Sequence, residues 1–215
     1  MPELQLAPAR VFDPNHVFYP EIVTYALTQM ALSTTYTSAI GEPFPKLIMN
    51  KGIVVHSVLM RPDALFSMMD PKVRNMSLTI QYREASLTGE SRSRAGPAYV
   101  VPPDSWKVIS QVCIGSAYER ISDRVKRRYG SDPWLWPCEL QYIRHVRNGC
   151  FHSNRFNLRA SHKHPTAINS SNPPRWRTSI LRDDTTVAGQ LVLGNYLNSG
   201  DVPILLADIE EVLKH

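Results

Sequence analysis

Two apolar patterns at helical spacing, separated by a short break that opens on a glycine, constrain this chain more than any other feature. Asp104 or Ser105 can cap the first, which carries Ile114, Ala117, Ile121 and Val125 to Tyr129 before Gly130 ends it. The second starts near Trp136, tolerates Pro137 in its first turn and presents Leu140, Ile143 and Val146 or Cys150 as its apolar stripe. Similar spacing predicts a helix from His16 to about Ala39 through Phe18, Ile22, Tyr25, Leu32 and Tyr36, with Gly41 and Pro43 as the stop. A further helical region is predicted from about Ile53 to Leu87, bent near Pro62 and Pro71. Asp201 can cap a short closing helix that carries Leu205, Ile209 and Val212. Before it, 176–181 and 185–193 flank Arg182-Asp183-Asp184 and predict a small β-hairpin. The expected fold is mainly α, a four- or five-helix bundle with that hairpin before the C-terminal helix. One domain over 1–215 is expected, with a mobile loop at 88–103, where periodicity is lost, and a crossing and hairpin insertion at 160–200.

The 215 residues suffice for one domain with a sizeable core. No stretch approaches the roughly 18 apolar residues that cross a bilayer, and no basic stretch precedes a hydrophobic signal core, so a cytoplasmic protein without a membrane partner is expected. Cys113, Cys138 and Cys150 lack close paired spacing and read as reduced, mostly buried thiols. The short pairs Cys150-x-His152 and His162-x-His164 have no second nearby Cys, so no metal site and no cofactor is predicted.

Chemistry concentrates at Arg147-Asn148-Gly149-Cys150-Phe151-His152. Arginine offers a fixed fork of donors for phosphate oxygens, and an imidazole of near-neutral pKa moves protons between oxygens. Five residues apart, the two stand about 140° from one another on an ideal helix. Gly149 lies between them and permits a bend or a close backbone approach. Arg147 follows Ile143 by four residues, so it borders the packed stripe and needs an anionic or hydrogen-bonding partner, which a carboxylate from another helix can also supply. Asn148 can hold the imidazole, a phosphate oxygen or a second subunit. The segment from Arg120 to Lys163 is +7 and the rest of the chain −2, a concentration that suits a polyanion. Lys126, Arg127 and Arg128 belong to that surface, although the trio also complements the end of its own helix dipole. Arg155 lies three residues after His152, within reach if helical structure persists.

The run Ile143-Arg144-His145-Val146-Arg147-Asn148-Gly149-Cys150-Phe151-His152-Ser153-Asn154-Arg155 resembles the signature of the HEPN superfamily, the higher eukaryotes and prokaryotes nucleotide-binding domains. That signature is an Arg, a polar residue, a few variable residues and a His on a late helix of a bundle. Arg147, Asn148 and His152 match those positions, and the trailing Asn154-Arg155 with the hairpin and closing helix resembles a bacterial branch. The resemblance implies a homodimer with facing motif helices and, in active members, metal-independent RNA cleavage. It implies Arg147, His152 and Asn148 as catalytic residues, with Arg144, Asn154, Arg155, Arg159, Lys126, Arg127 and Arg128 meeting RNA. Many members are toxins or phage-defence effectors, so a protein or nucleotidyltransferase antitoxin is an implied partner. Others are catalytically silent, and a nucleotide-, RNA- or protein-binding module is the alternative expectation.

Overall fold

The computed structural model describes residues 10–39, 47–49, 55–60, 78–84, 103–158 and 166–215. It is mainly helical. The chain runs β1 (Arg10–Phe12), α1 (Tyr19–Ala39), β2 (Leu47–Met49), β3 (Val55–Met60), β4 (Leu78–Glu84), α2 (Pro103–Tyr129), a 3₁₀ turn (Pro133–Leu135), α3 (Cys138–Cys150), β5 (Arg175–Trp176), β6 (Ser179–Ile180), α4 (Asp184–Val187) and α5 (Asp201–Lys214). Among the described residues, no helix is long and apolar enough to cross a membrane.

The long helices share one core because their apolar stripes converge. Ile22 and Tyr25 of α1 meet Ile114, Ala117 and Ile121 of α2, Tyr142, Ile143 and Val146 of α3, and Leu205, Leu206 and Ile209 of α5, all at most 1% exposed. Polar contacts fix the directions. The Glu21 carboxylate accepts from Ser116 and Arg120, and Tyr25 lies against Ser110 at 3.0 Å, so α1 and α2 are antiparallel. Tyr25 donates to the Ser199 carbonyl near the start of α5, while Arg124 and Arg128 donate to the Leu213 carbonyl near its end, so α5 runs alongside α2 in the same sense. Arg128, in the last turn of its own helix, thus also satisfies an orphan carbonyl of another helix. The three cysteines are free and buried.

Three expectations are corrected. The region predicted as helical from about Ile53 to Leu87 contains strands β3 and β4, which pair antiparallel in a four-stranded sheet of order β1-β4-β3-β2. The sign is in the sequence: Leu78, Ile80 and Tyr82 alternate with Thr79, Gln81 and Arg83 at the strand period of two. The hairpin turn also falls earlier than predicted. Arg177 adopts φ +53° and lets β5 reverse into β6, whereas Asp183 caps α4 by accepting from the Thr186 N–H at 2.8 Å. Asp184 accepts from the backbone of Ala167 and Ile168, which leaves the Arg182–Asp184 stretch as a helix start rather than a strand reversal. Helix α3 begins at Cys138, two residues later than expected, because Asp132 caps a 3₁₀ turn just before it. Of the predicted loop at 88–103, only Pro103 lies within the described residues, where it begins α2.

Candidate functional site

Helix α3 carries the site, and its periodicity sorts the polar residues. A step of four residues advances only about 40° around a helix, so Arg144, Asn148 and His152 form one column, provided the helical path continues past Cys150. The helix ends at Cys150, but one tighter turn carries the path on: the Phe151 N–H donates to the Arg147 carbonyl at 3.3 Å and the His152 N–H to the Gly149 carbonyl three residues back at 3.0 Å. These three residues, with His145, Asn157 and Ala167, line a concavity of about 200 Å³. No carboxylate among the described residues lines it.

Arg147 stands off this column. Its Nη2 meets Glu119 of α2 at 2.6 Å, its guanidinium lies over the rings of Tyr118 and Phe151 at 5.7 and 5.4 Å, and its Nε is buried without a partner among the described residues. It reaches the concavity through Asn148, whose Oδ1 accepts from Nη1 at 3.3 Å. In this conformation Arg147 is tied to Glu119 and meets the concavity only through Asn148. The partner required by its place at the edge of the packed stripe is a carboxylate from the adjacent helix.

The remaining cations are dispersed. Arg120 pairs with Glu21, Lys126 reaches Asp123 at 3.8 Å, and Arg155 donates to the Gly189 carbonyl at 2.6 Å. Lys126, Arg127 and Arg128 sit at the far end of α2: Arg127 is eight residues beyond Glu119, about 12 Å along the axis at 1.5 Å per residue. Arg144, half-buried, has no hydrogen-bond or ion-pair partner among the described residues and is the cation that lines the concavity. Asn154 is buried and committed elsewhere: in the left-handed region at φ +57°, its amide donates to the Leu193 carbonyl and accepts the Leu193 N–H at 2.9 and 2.8 Å. It clamps the 189–193 loop instead of facing a ligand. Arg159, together with His162 and His164, lies outside the described residues.

That clamp explains Gly149. The helix runs through it unbroken, and the glycine serves a close approach rather than a bend. A Cβ there would collide with a Val192 methyl and come within 3.2 Å of the Arg155 carbonyl oxygen. Gly149→Ala is expected to lose about 1–2 kcal/mol net, because overpacking outweighs the gain in helix propensity. Urea unfolding measures it, and a variant as stable as wild type would mean that Val192 moves aside at no cost.

His145 was not singled out by sequence, and the structure brings it to the site. It is 5% exposed, lines the concavity, and has no hydrogen-bond partner among the described residues. Burial, reinforced by the neighbouring Arg144 charge, pushes its pKa down to about 3, so the ring is neutral at physiological pH. The unfolded chain binds this proton near pH 6.5 and the folded one only near 3, so stability is complete above 6.5 and falls as pH drops between the two. The slope is at most about 1.4 kcal/mol per pH unit. Comparing urea midpoints at pH 7 and 5, His145→Gln should lose about 2 kcal/mol less than wild type over that interval. Identical losses would place the acid-sensitive group elsewhere.

A second concavity, of about 210 Å³, is lined by Asp13, His16, Glu210, Glu211 and Lys214 among others. Its acidic lining disfavours an anion. Both nitrogens of His16 are engaged, Nδ1 accepting from the Phe18 N–H and Nε2 meeting Glu210 at 2.8 Å. No cluster of three or more His, Cys, Asp or Glu suited to a metal occurs among the described residues.

In comparisons with known proteins, no family model, curated protein or solved structure matches this chain.

Proposed function

We propose that this chain is a HEPN-like, metal-independent endoribonuclease that works as a homodimer. The observation that carries the reading is the convergence of Arg144, Asn148 and His152 on one concavity, with Arg147 hydrogen-bonded to Asn148 behind them. A fixed cation and an amide suit the non-bridging oxygens of a phosphodiester, and an exposed imidazole beside them can exchange a proton with a ribose hydroxyl. In the proposed reaction the 2′-oxygen attacks phosphorus as His152 takes its proton, and the bond from phosphorus to the 5′-oxygen breaks. That oxygen takes a proton from a second acid, leaving a 2′,3′-cyclic phosphate and a free 5′-hydroxyl. One imidazole cannot stand on both sides of the phosphorus, so His152 of a second copy supplies the acid.

Exposed apolar residues support the second copy. Val108 and Val112 are 57% and 63% exposed on α2, and the 57% exposed Phe151 lies over Gly115 on the same helix face, directly before His152. A twofold contact across this surface, burying about 1,200 Å² or more in total, would bring the two motif segments together. The toxin or phage-defence setting, and an antitoxin partner, follow from the sequence resemblance.

Purified protein in excess chelator is expected to cut RNA to products with cyclic-phosphate and 5′-hydroxyl ends, and to leave 2′-O-methyl RNA intact. Cleavage that requires an added divalent ion would reject the mechanism. A second reading, a silent RNA- or nucleotide-binding module, is favoured by the Arg147–Glu119 pair, which turns the Arg147 charge away from the concavity. Salt-sensitive binding without cleavage would select it.

A further inference from the structure

The reading above leaves His145 without a task. His145 is 5% exposed, has no hydrogen-bond partner among the described residues, and borders a concavity in which its ring nitrogens are not sealed from solvent, so they are open to a ligand that enters there. A neutral imidazole presents one N–H donor and one lone-pair acceptor. Its complement is a group that can both accept and donate, and a hydroxyl is the smallest such group. Phosphate oxygens alone would leave the imidazole lone pair facing other lone pairs.

The neighbours of His145 specify the rest of the ligand. Arg144, adjacent in sequence and on the same wall, supplies a cation for one anionic group, while Asn148 and Asn157 add neutral amides. At about 200 Å³ the concavity falls below the roughly 300–1,000 Å³ typical of sites that enclose a whole ligand, so it accepts a fragment. A phosphate with its attached sugar matches one cation flanked by neutral donors and acceptors, and leaves the base outside.

We propose that the concavity is a ribose-phosphate subsite, in which Arg144 holds the phosphate and His145 hydrogen-bonds the neighbouring 2′-hydroxyl, so that the chain distinguishes ribonucleotides from deoxyribonucleotides. The 2′-hydroxyl is the group by which a protein tells RNA from DNA at a given position. The inference rests on the phosphate-site reading above and adds a specificity-determining residue to it.

Isothermal titration of the full chain with uridine 3′-monophosphate, 2′-deoxyuridine 3′-monophosphate and inorganic phosphate tests it. Wild type is expected to bind the ribonucleotide about tenfold more tightly than its deoxy counterpart, the value of one hydrogen bond in a desolvated site. His145→Phe should bring that ratio markedly closer to one while inorganic phosphate, which lacks the hydroxyl, loses less affinity than the ribonucleotide, and His145→Gln, which keeps a donor and an acceptor, should retain part of the preference. Arg144→Gln should weaken all three ligands. Equal ribo and deoxy affinities in wild type overturn the inference without recourse to any variant, so the test survives a His145 variant that fails to fold. So does a preference that follows the base rather than the sugar hydroxyl. An Arg144→Gln protein that binds all three ligands like wild type would instead overturn the phosphate site itself.

Discussion

Replacing His152 by alanine is expected to slow RNA cleavage about 10²- to 10⁴-fold, the usual contribution of a well-placed general acid or base. The side chain is exposed, beyond the last turn of α3, and makes no hydrogen bond among the described residues. Surface substitutions of this kind change stability by about 0.5 kcal/mol or less, so the unfolding midpoint should stay put and the lost rate can be assigned to chemistry. Arg147 is a poorer probe. Its removal would free Glu119, uncover Tyr118 and Phe151, and release Asn148, mixing structural and chemical effects. The measurement is single-turnover cleavage of one RNA by wild type and H152A in excess chelator. Equal rates would remove the imidazole from the reaction and leave the concavity as a binding site.

Trp176→Ala should produce the largest loss of stability, about 3–5 kcal/mol, against a typical total of about 5–15 for a domain. Trp176 is 1% exposed on β5, and its ring is 6.3 Å from that of Tyr142 in α3, whose hydroxyl lies 2.9 Å from Ser179 Oγ. The indole Nε1–H donates to Asp208 Oδ2 at 2.9 Å, and the Arg177 guanidinium shares that carboxylate at 2.7 Å. One residue therefore joins the hairpin, α3 and α5. Truncation opens a cavity, while Asp208 retains Arg177. Trp176→Phe keeps a six-membered ring in the core but removes the donor together with the smaller ring, so it should cost less than the alanine variant, about 1.5–3 kcal/mol. Urea unfolding of both variants separates the two contributions, and equal losses would assign the whole effect to the Asp208 hydrogen bond rather than to packing.

The helices were legible because each buries one face, and burial at a 3.6-residue period leaves a pattern that needs no knowledge of the partner. Phe18 just before α1, Ile22 and Tyr25 in it, Ile114, Ala117 and Ile121 in α2, and Leu205 and Ile209 in α5 follow that pattern and are buried; the side chains of Leu32 and Tyr36 lie outside the described residues. The strand pair at 55–60 and 78–84 is less legible, because short apolar runs fit both periods and only the alternation across Leu78–Arg83 favours the strand. A hairpin does form here, but it lies wholly within 175–180, and the second strand expected at 185–193 begins instead as α4. Asp183 and Asp184 suit a turn or a helix cap equally well, and the choice of cap depends on Ala167 and Ile168, more than a dozen residues away.

At the site, the sequence by itself determined the column. Arg144, Asn148 and His152 are four apart, so any helix through them aligns them, whatever it packs against. Which cation faces the concavity was a tertiary matter. Arg147 and Arg144 differ little as sequence, but Glu119 comes from another helix 28 residues earlier and draws Arg147 away, while Arg144 meets no such carboxylate among the described residues. Long-range contact likewise turned Asn154 into a clamp through Leu193, 39 residues on, and buried His145 deeply enough to hold it neutral. Local spacing sets the direction of a side chain along its own helix, but the charge, burial and partner of that side chain depend on which distant segment the core brings against it.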